Sequence, residues 1–176
     1  DALVQQAIRE KVYIERLPAF LRAQGVGDEA LIASTKEVFA RDWFARLVLN
    51  EDAPATLRAL RPRFKLGLVT NGPSRTQRPK IAQFGLDDYL DLLIVSEEAG
   101  VAKPDPAIFH MALEQLGVAP AQALYVGDSL EFDLPGADAA GMPFVWMNPR
   151  GEPFPEHLPR PLHEIQRLTE LVALLG

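Results

Sequence analysis

The stretch Ala123-Leu-Tyr-Val-Gly-Asp-Ser-Leu-Glu-Phe-Asp133 decides how the rest of this sequence reads. Residues 123–126 form a short apolar run closed by Gly127, the pattern of a buried strand. Asp128 follows at the tip, and Asp133 stands at the start of what reads as a helix. In open α/β sheets, ligands bind at the C-terminal ends of strands. Two acids near one strand tip suit a hard cation such as Mg²⁺, which takes oxygen ligands and keeps waters and phosphate oxygens in its shell. A plainer use is also open, since Asp128 or Ser129 can cap the following helix.

Working outward, the same strand–helix texture repeats. Residues 143–147 read as a strand and 148–161 as a Pro-rich loop. Residues 162–175 read as an amphipathic helix, with Ile165, Leu168, Leu171, Val172 and Leu175 on one face. The helix near 133–140 ends at Gly141, with Pro135 in its first turn. Upstream, Asp105 caps a helix that Pro106 starts and Gly117 ends. Residues 92–95 and 65–69 read as strands. A helix over 75–84 contains Pro79, which is awkward outside a first turn. Asp52 suits the cap of a short helix that holds Pro54 and runs to about residue 60. Four strands alternating with helices predict a parallel sheet covered on both faces.

Residues 1–50 carry no strand signal. Leu3, Val4, Ala7, Ile8, Val12, Ile14 and Leu17 recur at helical spacing, interrupted by Pro18. A second helical stretch, with Asp28 as its cap, uses Leu31, Ile32, Val38, Phe39, Trp43, Phe44 and Leu47. The expected organisation is a small helical unit over 1–50 and an α/β unit over 51–176.

The bulk numbers narrow the function. The 176 residues carry 18 Lys and Arg against 24 Asp and Glu, a net charge of −6. No basic stripe stands out, so nucleic acid is not an expected partner. No apolar run reaches membrane-spanning length, so no membrane partner is expected either. There are no cysteines, which removes disulfides and thiolate chemistry and fits a reducing, cytoplasmic setting. His110, His157 and His163 show no metal-ligand spacing. Nothing in the sequence speaks to oligomeric state.

Three polar signals fall at strand-to-helix positions. Thr70, Asn71 and Gly72 follow the first strand. A threonine hydroxyl and the backbone N–H groups after it suit phosphate oxygens, and glycine lets the backbone come close. An ordinary Asn-Gly turn reads the same way. Lys103 follows the second strand. Pro104 biases it toward extended backbone, and Asp105 and Pro106 stiffen the turn. This aims a point charge that would offset phosphate or carboxylate charge, although a solvated lysine beside a capping turn has the same sequence. Asp128 with Asp133 is the third signal.

Together, Thr70-Asn-Gly72, Lys103-Pro-Asp-Pro106 leading into Ile108-Phe109, and Gly127-Asp-Ser129 with Asp133 resemble the haloacid dehalogenase-like hydrolase superfamily. The resemblance covers roughly residues 52–148. It implies a Rossmann-like, doubly wound parallel sheet with a small helical cap, here residues 1–50. It implies a Mg²⁺-dependent phosphatase acting on a small phosphorylated metabolite of nucleotide or sugar phosphate type. By the same resemblance Thr70 binds the transferring phosphoryl group with Asn71 and Gly72, and Lys103 neutralises charge at nucleophile and phosphate. Asp128 ligates Mg²⁺, and Asp133 supports the metal shell or the lysine.

The family's chemistry begins at a central first strand ending in Asp-x-Asp, which supplies the nucleophile and the acid/base. No such pair occurs before the helical region, and Asp1 has no strand before it. That strand, which would lie between the Thr70 and Asp128 strands, is therefore expected to be absent here, and these residues alone are expected to be inactive. A 2-haloacid dehalogenase and a phosphomutase of the same superfamily are alternatives, as is a catalytically silent scaffold. A receiver-type signalling domain fits less well, because it resembles an order with acids first and lysine last.

Overall fold

The apolar spacing at the start of the chain forms helices α1 (Ala2–Arg9), α2 (Leu17–Ala23) and α3 (Glu29–Arg46). This computed structural model describes residues 2–9, 12 and 16–176, without the side chains of residues 5, 8, 9, 43 and 45. The helical continuation expected through Ile14 lies outside the described residues, as do Asp1 and the side chains of Ile8 and Trp43. Pro18 sits in the first turn of α2, where its missing N–H costs nothing. The Asp28 carboxylate caps α3 by accepting from the N–H groups of Ala30 at 2.9 Å and Leu31 at 3.1 Å. Ala7, Leu17, Leu21, Ile32 and Phe39 form the buried core of this unit. Leu31 and Val38, expected on the same apolar face, are exposed instead. Each precedes a buried residue, and one step along a helix turns the side chain by about 100°. These helices make one unit, Asp1–Val48; Leu49–Gly176 make a second.

The second unit alternates helices and strands: α4 (Ala53–Leu60), β1 (Gly67–Thr70), α5 (Ser74–Gln83), β2 (Leu92–Val95), α6 (Ser96–Ala99), α7 (Pro106–Leu116), β3 (Tyr125–Gly127), α8 (Asp133–Ala139), β4 (Phe144–Met147), β5 (His163–Ile165) and α9 (Glu170–Leu174). Every strand pair is parallel. β1 pairs with β2, and β3, β4 and β5 pair in that order. Along β4 the side chains alternate between two layers, as strand geometry requires. Phe144 and Trp146 enter a core with Ile108 and Phe109 of α7 and Leu134 and Ala137 of α8. Val145 joins Leu60 of α4 and Leu171 of α9 in a core of its own. The result is an α/β fold with helices on both faces of parallel strands.

The strands form two sheets because no described strand lies between β1 and β3. Helices α7 and α8 join them. Val69 of β1 and Ile94 of β2 share one apolar core with Phe144 and Trp146 of β4.

Three local expectations are corrected, and one helix is new. The helix expected over 162–175 is instead β5 followed by α9. Pairing of His163, Glu164 and Ile165 with Val145, Trp146 and Met147 gives β4 a second hydrogen-bonded neighbour, and this long-range gain outweighs the local helical spacing. Helix starts only where the Glu170 carboxylate accepts from the N–H groups of Gln166 and Arg167. The Asp52 carboxylate does not cap α4; both of its oxygens accept from the Arg167 guanidinium, at 2.8 and 2.9 Å. Pro79 lies in the second turn of α5 on its exposed side, where the freed carbonyl can turn to water. The short helix α6, unmarked in the sequence, directly follows β2.

Candidate active site

Thr70 ends β1, and its hydroxyl has no hydrogen-bond partner among the described residues. The next two residues are tied down. The Asn71 carboxamide donates to the Lys103 carbonyl at 2.8 Å and accepts from the Lys103 N–H at 2.9 Å. The Gly72 N–H donates to the buried Ser96 hydroxyl of α6 at 2.9 Å. Of the phosphate-binding groups expected here, the Asn71 side chain and the Gly72 N–H are thus already occupied by protein. Their task is to hold the Thr70 turn and the Lys103 backbone together. Ser96 has no sequence signal; its role depends on the turn of α6.

Lys103 lies on the connection between α6 and α7, before a cis peptide to Pro104. Its ammonium donates to Asp133 at 2.7 Å and to the Tyr125 hydroxyl at 3.0 Å. The Tyr125 hydroxyl in turn lies 3.3 Å from the same Asp133 oxygen. The other Asp133 oxygen accepts from the Ser129 N–H at 3.0 Å. The Lys103 side chain is 13% exposed and that of Asp133 4%, so the pair is largely shielded from water. A shielded ion pair is retained only with close geometry and further hydrogen bonds, and Asp133 has both. Burial first, and then the Asp133 carboxylate, raise the Tyr125 phenol well above its usual range, so it remains protonated.

Two glycines make this approach possible. A Cβ on Gly127 would collide with the Asp133 side chain, so glycine at the end of β3 lets the aspartate sit beneath the strand tip. A Cβ on Gly136 would meet the Phe109 ring and come within 3.0 Å of the Pro104 carbonyl. Glycine there brings α8 close to the start of α7, within reach of Lys103.

Asp128 differs from Asp133. It is exposed at the tip of β3, and its carboxylate forms no hydrogen bond or ion pair among the described residues. Only its carbonyl is held, by the Trp146 indole N–H at 3.3 Å. The expectation for Asp133 is a place in the metal shell or support of the lysine; its oxygens accept from Lys103, Tyr125 and Ser129, because α8 carries it inward. No group of three or more His, Asp or Glu side chains able to hold a metal gathers among the described residues. Asp128 alone still fits Mg²⁺, which is commonly held by one or two carboxylates together with substrate phosphate and waters.

The geometry thus joins Asn71, Lys103, Tyr125 and Asp133 through direct hydrogen bonds. Thr70 and Asp128 flank this cluster, each adjoining a member of it in the chain or on the β3 tip. A fixed cation, a free hydroxyl and a free carboxylate on the C-terminal ends of parallel strands are groups suited to an oxyanion and a hard cation.

Comparison with known proteins identifies the family. A family model described as haloacid dehalogenase-like hydrolase matches residues 3–141. The chain belongs to that family. It is similar to pyrimidine 5'-nucleotidase YjjG of Escherichia coli, 42% identical over 124 residues that make up 70% of this chain and 55% of that protein. It is also similar to glyceraldehyde 3-phosphate phosphatase of Methanopyrus kandleri, 39% identical over 159 residues, 86% of this chain and 67% of that protein. Among solved structures, the HAD-hydrolase YfnB of Bacillus subtilis bound to magnesium superposes with a TM-score of 0.80 at 29% identity, covering 98% of this chain and 78% of that one. The chain spans about half the length of the first curated relatives it matches. Among the described residues no helix is long and apolar enough to cross a membrane.

Proposed function

We propose that the complete polypeptide carrying these residues is a Mg²⁺-dependent phosphatase of small phosphorylated metabolites, of nucleotide or sugar phosphate type. The observation that carries this reading is the shielded Lys103–Asp133 pair at 2.7 Å, with the exposed Asp128 carboxylate, which has no partner among the described residues, directly before Ser129, whose N–H donates to Asp133. The relatives named as a nucleotidase and a triose phosphate phosphatase support the same class of substrate. In this proposal a carboxylate nucleophile outside these residues attacks phosphorus, the ester P–O bond breaks to release the substrate's alcohol, and water then hydrolyses the aspartyl-phosphate to inorganic phosphate and the free carboxylate. The Thr70 hydroxyl donates to a phosphoryl oxygen. The Lys103 ammonium faces the spreading equatorial charge, and Asp133 keeps it there without movement during the reaction. Asp128 would hold Mg²⁺, whose charge further stabilises the transferring phosphoryl group. Residues 1–50 serve as a helical cap that selects the leaving group. A cytoplasmic setting belongs to the proposal and is supported by the cysteine-free sequence.

Asp128→Ala in the complete polypeptide should abolish Mg²⁺-dependent hydrolysis of p-nitrophenyl phosphate. Unchanged activity would reject the assignment. In the same assay the 176 residues alone, which hold no Asp-x-Asp before the helical region, should release no phosphate. Halide removal from a haloacid gives Asp128 no cation to hold, so rate dependence on added magnesium separates the two chemistries.

A further inference from the structure

Tyr125 touches both members of the ion pair, and none of the roles above uses it. Its ring is fixed by the core, edge-on to Phe109 with centroids 4.8 Å apart and stacked on Phe144 at 6.4 Å. The hydroxyl therefore has little freedom of position. It accepts from the Lys103 ammonium at 3.0 Å and lies 3.3 Å from Asp133 Oδ1. The ammonium also stands 5.6 Å from the Tyr125 ring centroid, within reach of the ring's negative face.

A lysine ammonium has three N–H donors on a flexible stem. Asp133 takes one and Tyr125 takes a second. With Asp133 alone, the group could pivot about a single contact. With both, its orientation is fixed by two acceptors, and one N–H has no acceptor among the described residues. We propose that Tyr125 is a positioning residue for Lys103, orienting the ammonium so that its one remaining N–H is directed to the substrate phosphate. This rests on Lys103 serving a phosphate, and it goes beyond that reading in assigning the orientation to a core tyrosine.

Tyr125→Phe tests this, since it deletes one oxygen and keeps the ring packing. Two measurements on the complete polypeptide decide. With p-nitrophenyl phosphate and Mg²⁺, kcat should fall roughly ten-fold, the loss of about one hydrogen bond to a charged group, while KM changes by less than about two-fold. By ¹⁵N NMR, the Lys103 ammonium signal, protected from exchange in the parent, should broaden or vanish in Tyr125→Phe with the backbone spectrum otherwise retained. A kcat within about two-fold of the parent, or an unaltered Lys103 signal, overturns the proposal. If the parent hydrolyses no phosphate ester, the functional reading fails; the Lys103 signal then decides by itself whether Tyr125 holds the ammonium.

Discussion

Asp133 is the side chain on which the shape of the site depends. It is 3% exposed, yet it is an acid, and it stays inside because three donors surround it. Asp133→Asn keeps the volume but places an NH₂ where at least one donor already points, and it strips Lys103 of its counter-charge. The expected cost is about 2–3 kcal/mol in chemical denaturation, on the low side for one partner of a buried pair because Lys103 retains some contact with water. A loss below about 0.5 kcal/mol would mean that the pair contributes no more than a surface bridge. Gly127→Ala attacks the same contact from the strand side, and overpacking there should cost about 1–3 kcal/mol. At this scale the sequence was only partly legible. Lys103, Asp128 and Asp133 stood out by residue type and by their place at strand ends. That Asp133 faces Lys103 and not the solvent-side ligand position depends on a contact across thirty residues, set by the depth of α8. Asn71 was legible as a turn residue, but its grip on the Lys103 backbone was not, because nothing local in Asn-Gly distinguishes a phosphate loop from a clamp.

The elements around the site brace one another through short polar contacts. The α6 acids hold the start of α5. Glu97 accepts from the Ser74 N–H at 2.7 Å, and Glu98 binds both the Ser74 hydroxyl and the Arg78 guanidinium. Arg78 and the Ser74 hydroxyl lower the Glu98 carboxyl from its ordinary 4.5 to about 2. A carboxyl depressed in the folded state contributes stability that is fully present above its unfolded value and is lost as pH falls through the folded value. Glu98→Gln should therefore lower the Tm slightly at neutral pH and flatten its decline between pH 4.5 and about 2. An acid limb identical to the parent's would show that this bridge is solvated and idle. At the opposite end of the sheet, Arg61, Arg63 and Lys65 donate to the carbonyls of Asp88, Leu175 and Leu116. Leu116 ends α7 and Leu175 directly follows α9, so Lys65 and Arg63 serve as C-terminal caps, while Arg61 ties the segment between α5 and β2. Elements were most legible where punctuation was strongest: α7 runs from Pro106 to Leu116, between the Asp105 cap and a left-handed Gly117, as its sequence predicts. They were least legible at 162–175, where Ile165, Leu168 and Leu171 match a helical spacing while β5 owes its existence to pairing with β4. Local pattern carries no information about a partner strand.

For the molecule as a whole, the second unit places its polar groups at the C-terminal ends of two parallel sheets and its apolar side chains on both faces. The core that joins β1 and β2 to β3 and β4 runs through α7 and α8, the helices that also bring Lys103 and Asp133 together. Fold and site therefore share their supports: Phe109 packs in that core while Gly136 yields to it and Tyr125 leans on it. The alternation of strand and helix, and with it the parallel sheet, could be read from the sequence because each period was closed by glycine or proline. The division of the described strands into two sheets departs from the single sheet that the alternation predicts. In the proposed function Thr70, Lys103 and Asp128 serve one phosphate and one cation. A crystal structure of the complete polypeptide with Mg²⁺ and a tetrahedral phosphate mimic tests this most directly. The Thr70 hydroxyl and the Lys103 ammonium should contact one oxyanion, with the Asp128 carboxylate on the metal beside it. An anion bound elsewhere, or a metal that Asp128 does not ligate, would rule out these roles.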